Sequence, residues 1–442
     1  MSPRTSAAIA GAAALAFLGI ALRAPAQAQE KPPAPPAGGG APAAAGTPRE
    51  RADALLRKGL AWLKTQQQPN GSFGRIPAPE GTPPGEAGMS ALALRAFAKA
   101  PPALRKELDL EPVMDKVAAY LVSLQQADGS IANPKGGLTT YRTSLSLMAL
   151  AAFDARRFAP QIEKARSWLV AGQFCAQNLG APDDAVARKN PSYGGWGYDE
   201  RTGTTPKADL SNSHFALEAL HETPAPADAV VWARAVTFLQ RCQNRSESND
   251  LTPAGVEVGD DGGFIYDPGA DESKSMPVTL PDGKKQIPSY ASMTYAGLMS
   301  MLYASVKKDD PRVKAARGWI EKNYTLQENR GLGPRASAGS KQGLFYYFHT
   351  FAKALDAWNE PAVTTPDGVE HRWADDLVNR LAELQRPDGS WANDTKRWWE
   401  DDPVLCTSYA LVALDIAYHP WIDGGEARGG ENDMPKSGPP GK

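Results

Sequence analysis

Cysteine is scarce in this chain: Cys175, Cys242 and Cys406 are the only three in 442 residues. No two are spaced as Cys-x-x-Cys and no His-Glu-x-x-His occurs, which removes the common zinc motifs. A Cys-Gly-Glu-Gln thioester sequence is missing, and Cys175-Ala176-Gln177 does not provide it. Glycine-rich phosphate loops are absent; Asp260-Asp261-Gly262-Gly263 is acidic and repels phosphate. Positive charge is not in excess. The 48 Lys and Arg meet 50 Asp and Glu, a formal charge of −2, so no basic face announces nucleic acid as a partner.

The longest apolar run is N-terminal. Arg4 precedes Ala7 to Leu22, and Ala26-Gln27-Ala28 has the small-x-small spacing of a cleavage site. This predicts a signal peptide over residues 1–28 and export to the periplasm or the exterior, with no transmembrane span after cleavage. An uncleaved membrane anchor is the alternative. Loss of Arg4 and Arg23 takes the mature charge from −2 to −4. Residues 29–48 are rich in Pro, Ala and Gly and read as a disordered tether. Residues 422–442 are Gly-rich and charged and read as a disordered tail.

Between these ends one phrase recurs. Trp62-Leu63 leads to Gln67 and Gly71-Ser72-Phe73; Tyr120-Leu121 to Gln125 and Gly129-Ser130; Arg380-Leu381 to Gln385 and Gly389-Ser390-Trp391. Degenerate copies join Trp168-Leu169 and Gln173 to Gly195-Trp196, and Phe238-Leu239 and Gln243 to Gly262-Gly263-Phe264. The weakest joins Trp319-Ile320 to Gly331-Leu332-Gly333. A repeat of this length fixes the architecture before any residue is considered for chemistry.

Each copy sits at the end of an amphipathic helix, where Gly supplies the left-handed stop. A second helix, small and apolar, follows: Met89 to Ala98, Thr143 to Phe153, Ser213 to Leu220, Met293 to Ala304, His349 to Trp358 and Thr407 to Ile416. Helices apolar nearly all round belong inside. The first and last copies match the phrase best, so neither end reads as a polar cap of an open stack. The expectation is all-α: a closed (α/α)6 toroid over residues 49–421, six inner helices parallel around a central cavity. Cys175 and Cys242 fall near the same point of two consecutive repeats, which leaves open a disulfide between them or two buried free thiols.

Lys58-Gly59-x2-Trp62-Leu63-x3-Gln67-x3-Gly71-x-Phe73 resembles the QW repeat of squalene-hopene and oxidosqualene cyclases, a repeat family that includes the protein prenyltransferase β-subunits. The likeness covers residues 50 to 420. It implies the toroid, and for such cyclases an alkene-protonating Asp within Asp-x-Asp-Asp. The matching stretch here reads Asp209-Leu210-Ser211-Asn212. Ser211 stands where the proton donor would be, and a hydroxyl cannot protonate an alkene. The zinc positions of the prenyltransferases read Phe345, Tyr347 and Cys406, and two aromatics cannot ligate zinc. No metal and no other cofactor are therefore expected.

Six inner-helix N-termini converging on one rim would present free N–H groups to an anionic or polar head group. Near them lie the candidate catalytic residues Asp401, Asp402, Asp209 and His214. Asp401 and Asp402 are possible proton donors or helix caps, and His214 shares a helix face with Glu218. Candidate ligand-binding residues are Arg142, Trp196, Tyr198, Ser211, Asn212, Tyr346, Tyr347, His349, Trp398 and Trp399. Aromatic walls suit isoprenoid-like ligands, sugars or plain apolar molecules. Arg95 and Lys353 are odd charges in inner helices and are expected to snorkel to a rim. The functional expectation is an exported toroid binding an isoprenoid-like or extended apolar ligand. The alternatives are an active terpene cyclase or polysaccharide lyase or hydrolase on the same fold, and a protein-binding scaffold.

Overall fold

A computed structural model describes residues 46–74, 85–133, 137–198, 207–223, 229–252, 255–269, 275–332, 341–419 and 421–422. The proposed signal, most of the tether and nearly all of the tail lie outside the described residues.

Six helix pairs follow one another. They are α1 (Pro48–Thr65) with α2 (Ala87–Lys99) and, after a short α3 (Pro102–Glu107), α4 (Glu111–Ser123) with α5 (Thr139–Asp154). Next comes α6 (Ala159–Gly172), then short α7 (Ala176–Leu179) and α8 (Asp184–Ala187), then its partner α9 (Leu210–Glu222). The last three pairs are α10 (Ala229–Arg241) with α11 (Ala291–Tyr303), α12 (Pro311–Asn323) with α13 (Leu344–Trp358), and α14 (Trp373–Leu384) with α15 (Pro403–Tyr418). Inner helices begin earlier than their apolar runs suggest; α13 starts five residues before His349, because its aromatic first turn packs into the ring.

The second helix of each pair is buried on nearly every side, as its Ala, Ser, Leu and Met content requires. Helices α2, α5, α9, α11, α13 and α15 pack in that order, and α15 packs back on α2. The outer layer closes too, with α14 against α1. The chain is a closed (α/α)6 toroid.

The recurring Gln is the mortar. Nε2 of Gln67 donates to Gly71 O of its own loop at 3.2 Å and to Val113 O of the next outer helix at 2.9 Å. Gln125, Gln173 and Gln243 repeat both bonds with their own loops and the next helix. Gln385 closes the circle, donating to Gly389 O at 3.0 Å and to Leu55 O of α1 at 3.2 Å. In the weakest copy Tyr324 takes the Gln place and donates to Asp376 of α14 at 2.9 Å. Gly389 shows why the loop needs glycine: its φ is +96°, and an added Cβ would lie 2.6 Å from Lys58 O. The residue after the Gly-Ser step is then fastened to the inner helix. Phe73, Ile131, Trp196, Phe264 and Trp391 each donate a backbone N–H to Ser90, Thr143, Ser213, Thr294 and Thr407 respectively.

Several local expectations are corrected. Pro48 is not tether: it opens α1 behind a Thr47–Glu50 capping box. Ile422 is not tail: it is buried in the core. The long insert between α10 and α11 carries a small sheet of β1 (Val256–Glu257), β2 (Val278–Thr279) and β3 (Lys285–Gln286), ordered β1-β3-β2. A hairpin of β4 (Ala362–Thr364) and β5 (Glu370–Arg372) precedes α14. All three cysteines are free thiols, Cys242 and Cys406 buried and Cys175 half-buried. Among the described residues no helix is long and apolar enough to cross a membrane.

Candidate functional site

All six inner helices begin at one end of the ring, and their first turns enclose a cavity of about 130 Å3. Its wall takes Glu86 and Met89 from the start of α2, Leu138 and Tyr141 from α5, and Ser211 and Phe215 from α9. Tyr290, Ser292 and Met293 come from α11, Gly343 and Tyr346 from α13, and Leu405 and Tyr409 from α15. Loops add Tyr198, Tyr266, Trp398, Trp399 and Glu400. Tyr198, Trp398 and Trp399 are 40%, 37% and 45% exposed and mark the mouth. Phenols pair across the wall, Tyr141 with Tyr409 at 2.9 Å and Tyr266 with Tyr198 at 3.0 Å.

The anion-welcoming rim expected from the sequence is largely cancelled, because acids of the chain itself occupy four of the six inner-helix starts, those of α2, α9, α13 and α15; the starts of α5 and α11 carry no acidic cap. Glu86 caps α2 through the Met89 N–H at 2.6 Å, Asp209 caps α9 through Asn212 at 2.8 Å, and Asp402 caps α15 through Val404 at 2.7 Å. At α13 the acid comes from another repeat. Oε1 of Glu400 accepts the N–H groups of Phe345 and Tyr346, each at 2.9 Å. These carboxyls consume the partial positive charge that an anionic ligand would have used.

Glu400 is the residue that sequence reasoning missed. It follows a tight turn in which both Trp398 and Trp399 are left-handed, with φ of 56° and 59°. Such backbone is costly for bulky side chains and persists only where the surroundings hold it. Here it leaves both indoles at the mouth while Glu400 turns inward, 1% exposed. Asn393 Nδ2 donates to its Oε2 at 2.6 Å, and among the described residues no Lys, Arg or His pairs with it. Burial raises its carboxyl to about 7 against the opposing pull of these hydrogen bonds. Glu86, the other wall carboxyl, has its charge balanced by the Arg142 guanidinium at 2.5 Å.

Beneath the cavity lies a charged layer. His214 Nε2 is 2.6 Å from the phenol oxygen of Tyr346, and burial pushes the imidazole down to about 3, so it is neutral. One turn on, Glu218 meets Lys353 at 2.8 Å and Arg95 at 3.0 Å, and both cations also reach Glu222 at 2.6 Å. Burial opposes the charge on Glu218, but Lys353 and Arg95 outweigh it and hold the carboxyl well below its usual range. Arg95 and Lys353 thus do not snorkel to a rim: two carboxylates neutralise them inside the ring.

Of the residues picked from sequence, Tyr198, Ser211, Tyr346, Trp398 and Trp399 stand in the cavity wall. The others stand elsewhere, each for a local reason. Asp401 is exposed and Asp402 is spent as a cap. Asp209, raised to about 6 by burial, is held by both the backbone and side-chain N–H of Asn212, and that pair sits behind the wall. His214 is one layer below, bonded to Tyr346 rather than to Glu218. Arg142 is taken by Glu86. Trp196 buries its indole and donates to Leu169 O at 2.7 Å. Tyr347 points away from the ring centre to Thr325 O at 2.7 Å. His349 is buried 3.9 Å from Glu218.

No protein-family profile and no curated protein matches the chain. Among solved structures it is similar to the type II terpene cyclase MstE from Scytonema, at 14% identity and TM-score 0.49, covering 83% of this chain and 98% of that one. It is similar also to the GH76A alpha-1,6-mannanase from Salegentibacter sp. HEL1_6, at 11% identity and TM-score 0.49, covering 84% and 98%. A third is a protein from Actinoplanes, at 14% identity and TM-score 0.47, covering 83% and 99%. Likeness at this level carries no argument about chemistry, and the ring itself rests on the helix contacts of this chain.

Proposed function

We propose that the toroid is an exported binding protein that takes one end of an isoprenoid-like or other apolar ligand into the cavity at its inner-helix starts. The observation that supports this best is the wall: six tyrosines, two tryptophans, a phenylalanine, two methionines and two leucines. Apolar and aromatic lining with a few convergent polar groups is the usual composition of a small-molecule site. Size narrows the ligand. An apolar cavity of roughly 150 Å3 holds one benzene molecule, so about 130 Å3 admits a head and not a whole extended chain. The rest of the ligand leaves between Tyr198, Trp398 and Trp399.

Titrating the purified chain with farnesol while following tryptophan fluorescence tests the reading. Saturable quenching that disappears in Trp398→Phe/Trp399→Phe is expected; an unchanged spectrum contradicts it. A second reading, acid catalysis, is favoured by one observation: Glu400 is a buried carboxyl raised to about 7 at an apolar wall, where a protonated acid could serve as a donor. Incubation with squalene and with geranylgeraniol separates the two. A cyclised product lost in Glu400→Gln establishes the enzyme; its absence leaves the binding protein.

A further inference from the structure

We infer that the head group received by this cavity is a small organic cation of the size of trimethylammonium. The inference rests on the reading of the cavity as a ligand site and adds the charge of what enters it.

Three features converge. The first is shape: a concave space of about 130 Å3, open at one mouth, suits a compact head. The second is the wall. Phe215, Tyr290, Tyr346, Tyr409, Trp398 and Trp399 surround that space. Aromatic faces carry negative quadrupole charge and attract cations, above all desolvated alkylammonium groups. Arg397 rests over the ring of Trp398, 4.4 Å from its centroid, so this indole is already used in this way. The third is charge balance. Glu86 has Arg142 as counter-charge, whereas among the described residues Glu400 has only hydrogen-bond donors: backbone N–H groups of the first turn of α13, from Leu344, Phe345 and Tyr346, and the Asn393 amide. A buried carboxylate without a cation is costly, and an ammonium in the cavity supplies the missing charge. The same arrangement disfavours anions, since acids already cap four of the six inner-helix starts.

Isothermal titration of the full chain with choline and with 3,3-dimethylbutan-1-ol, its uncharged isostere, tests this directly. The two have the same shape and differ in one atom and one charge. Choline is expected to bind at least about tenfold more tightly, the scale of a desolvated cation–π and carboxylate contact, and Glu400→Gln is expected to narrow that difference, leaving only the share of the aromatic wall. Equal binding of the two compounds by the wild-type chain overturns the cation inference and leaves the apolar site standing. Failure of both compounds together with failure of farnesol to quench tryptophan fluorescence overturns both.

Discussion

The phenol oxygen of Tyr346 lies 2.6 Å from Nε2 of His214, and this one contact joins the cavity wall to the charged layer below it. His214 is fully buried and neutral, and its Nδ1 has no hydrogen-bond partner. Tyr346→Phe therefore strips the ring of its one polar contact. A buried polar group left unsatisfied costs about 1–3 kcal/mol. Urea denaturation is expected to show a loss of that size with the slope unchanged, and Tyr409→Phe, which leaves His214 bonded, a smaller one.

Glu400 links the site to pH. Its carboxyl is raised from 4.5 to about 7, so between those values the folded chain holds a proton that the unfolded chain has released. Stability must then fall as pH rises through this window, by about 3 kcal/mol for this group alone. The groups around it are Asn393, the backbone of α13, Tyr409 and Cys406, none of them a cation. Asp209 and Asp415 are raised by burial in the same sense, to about 6 and about 7. Thermal melts from pH 5 to pH 8 are expected to decline in the wild type and to decline less steeply in Glu400→Gln.

Glu218 works with the opposite sign. Held well below 4.5 by Lys353 and Arg95, it stabilises the fold at neutral pH, and that stability is lost only as pH falls through its depressed value. Glu218→Gln leaves Glu222 alone against two buried cations. Breaking one partner out of a buried ion pair costs about 3–5 kcal/mol. A large drop in denaturant midpoint at pH 7 is expected, shrinking in acid.

Export makes a separate prediction. Intact mass and N-terminal sequencing of the protein released from an exporting cell should place the mature start at Gln29, after Ala26-Gln27-Ala28. Recovery of Met1 in a membrane fraction would indicate the anchor instead.

The ring was legible because the repeat states its own geometry. Gln67, Gln125, Gln173, Gln243 and Gln385 each make the same two bonds and mark five of the six junctions; the sixth, at Tyr324, is shown by its Trp319-Ile320 and Gly331. The acid of the site was not legible. Asp401, Asp402 and Glu400 are neighbours, and which of them faces the cavity depends on two left-handed tryptophans that no periodicity announces. The buried ion cluster was hidden for another reason. Arg95, Glu218, Glu222 and Lys353 lie on three helices far apart in sequence, so Arg95 and Lys353 looked like isolated charges seeking water and Glu218 like a partner of His214.

The central claim is that the aromatic cavity at the inner-helix starts holds the end of a ligand. Ser211 is half-buried in its wall, so Ser211→Trp fills the space without disturbing the core. Mass spectrometry of small molecules extracted from the purified mature chain and from this variant is the most direct test. The account predicts an apolar compound stoichiometric with the wild type and absent from an equally folded Ser211→Trp. The same compound at the same level in both proteins would contradict it.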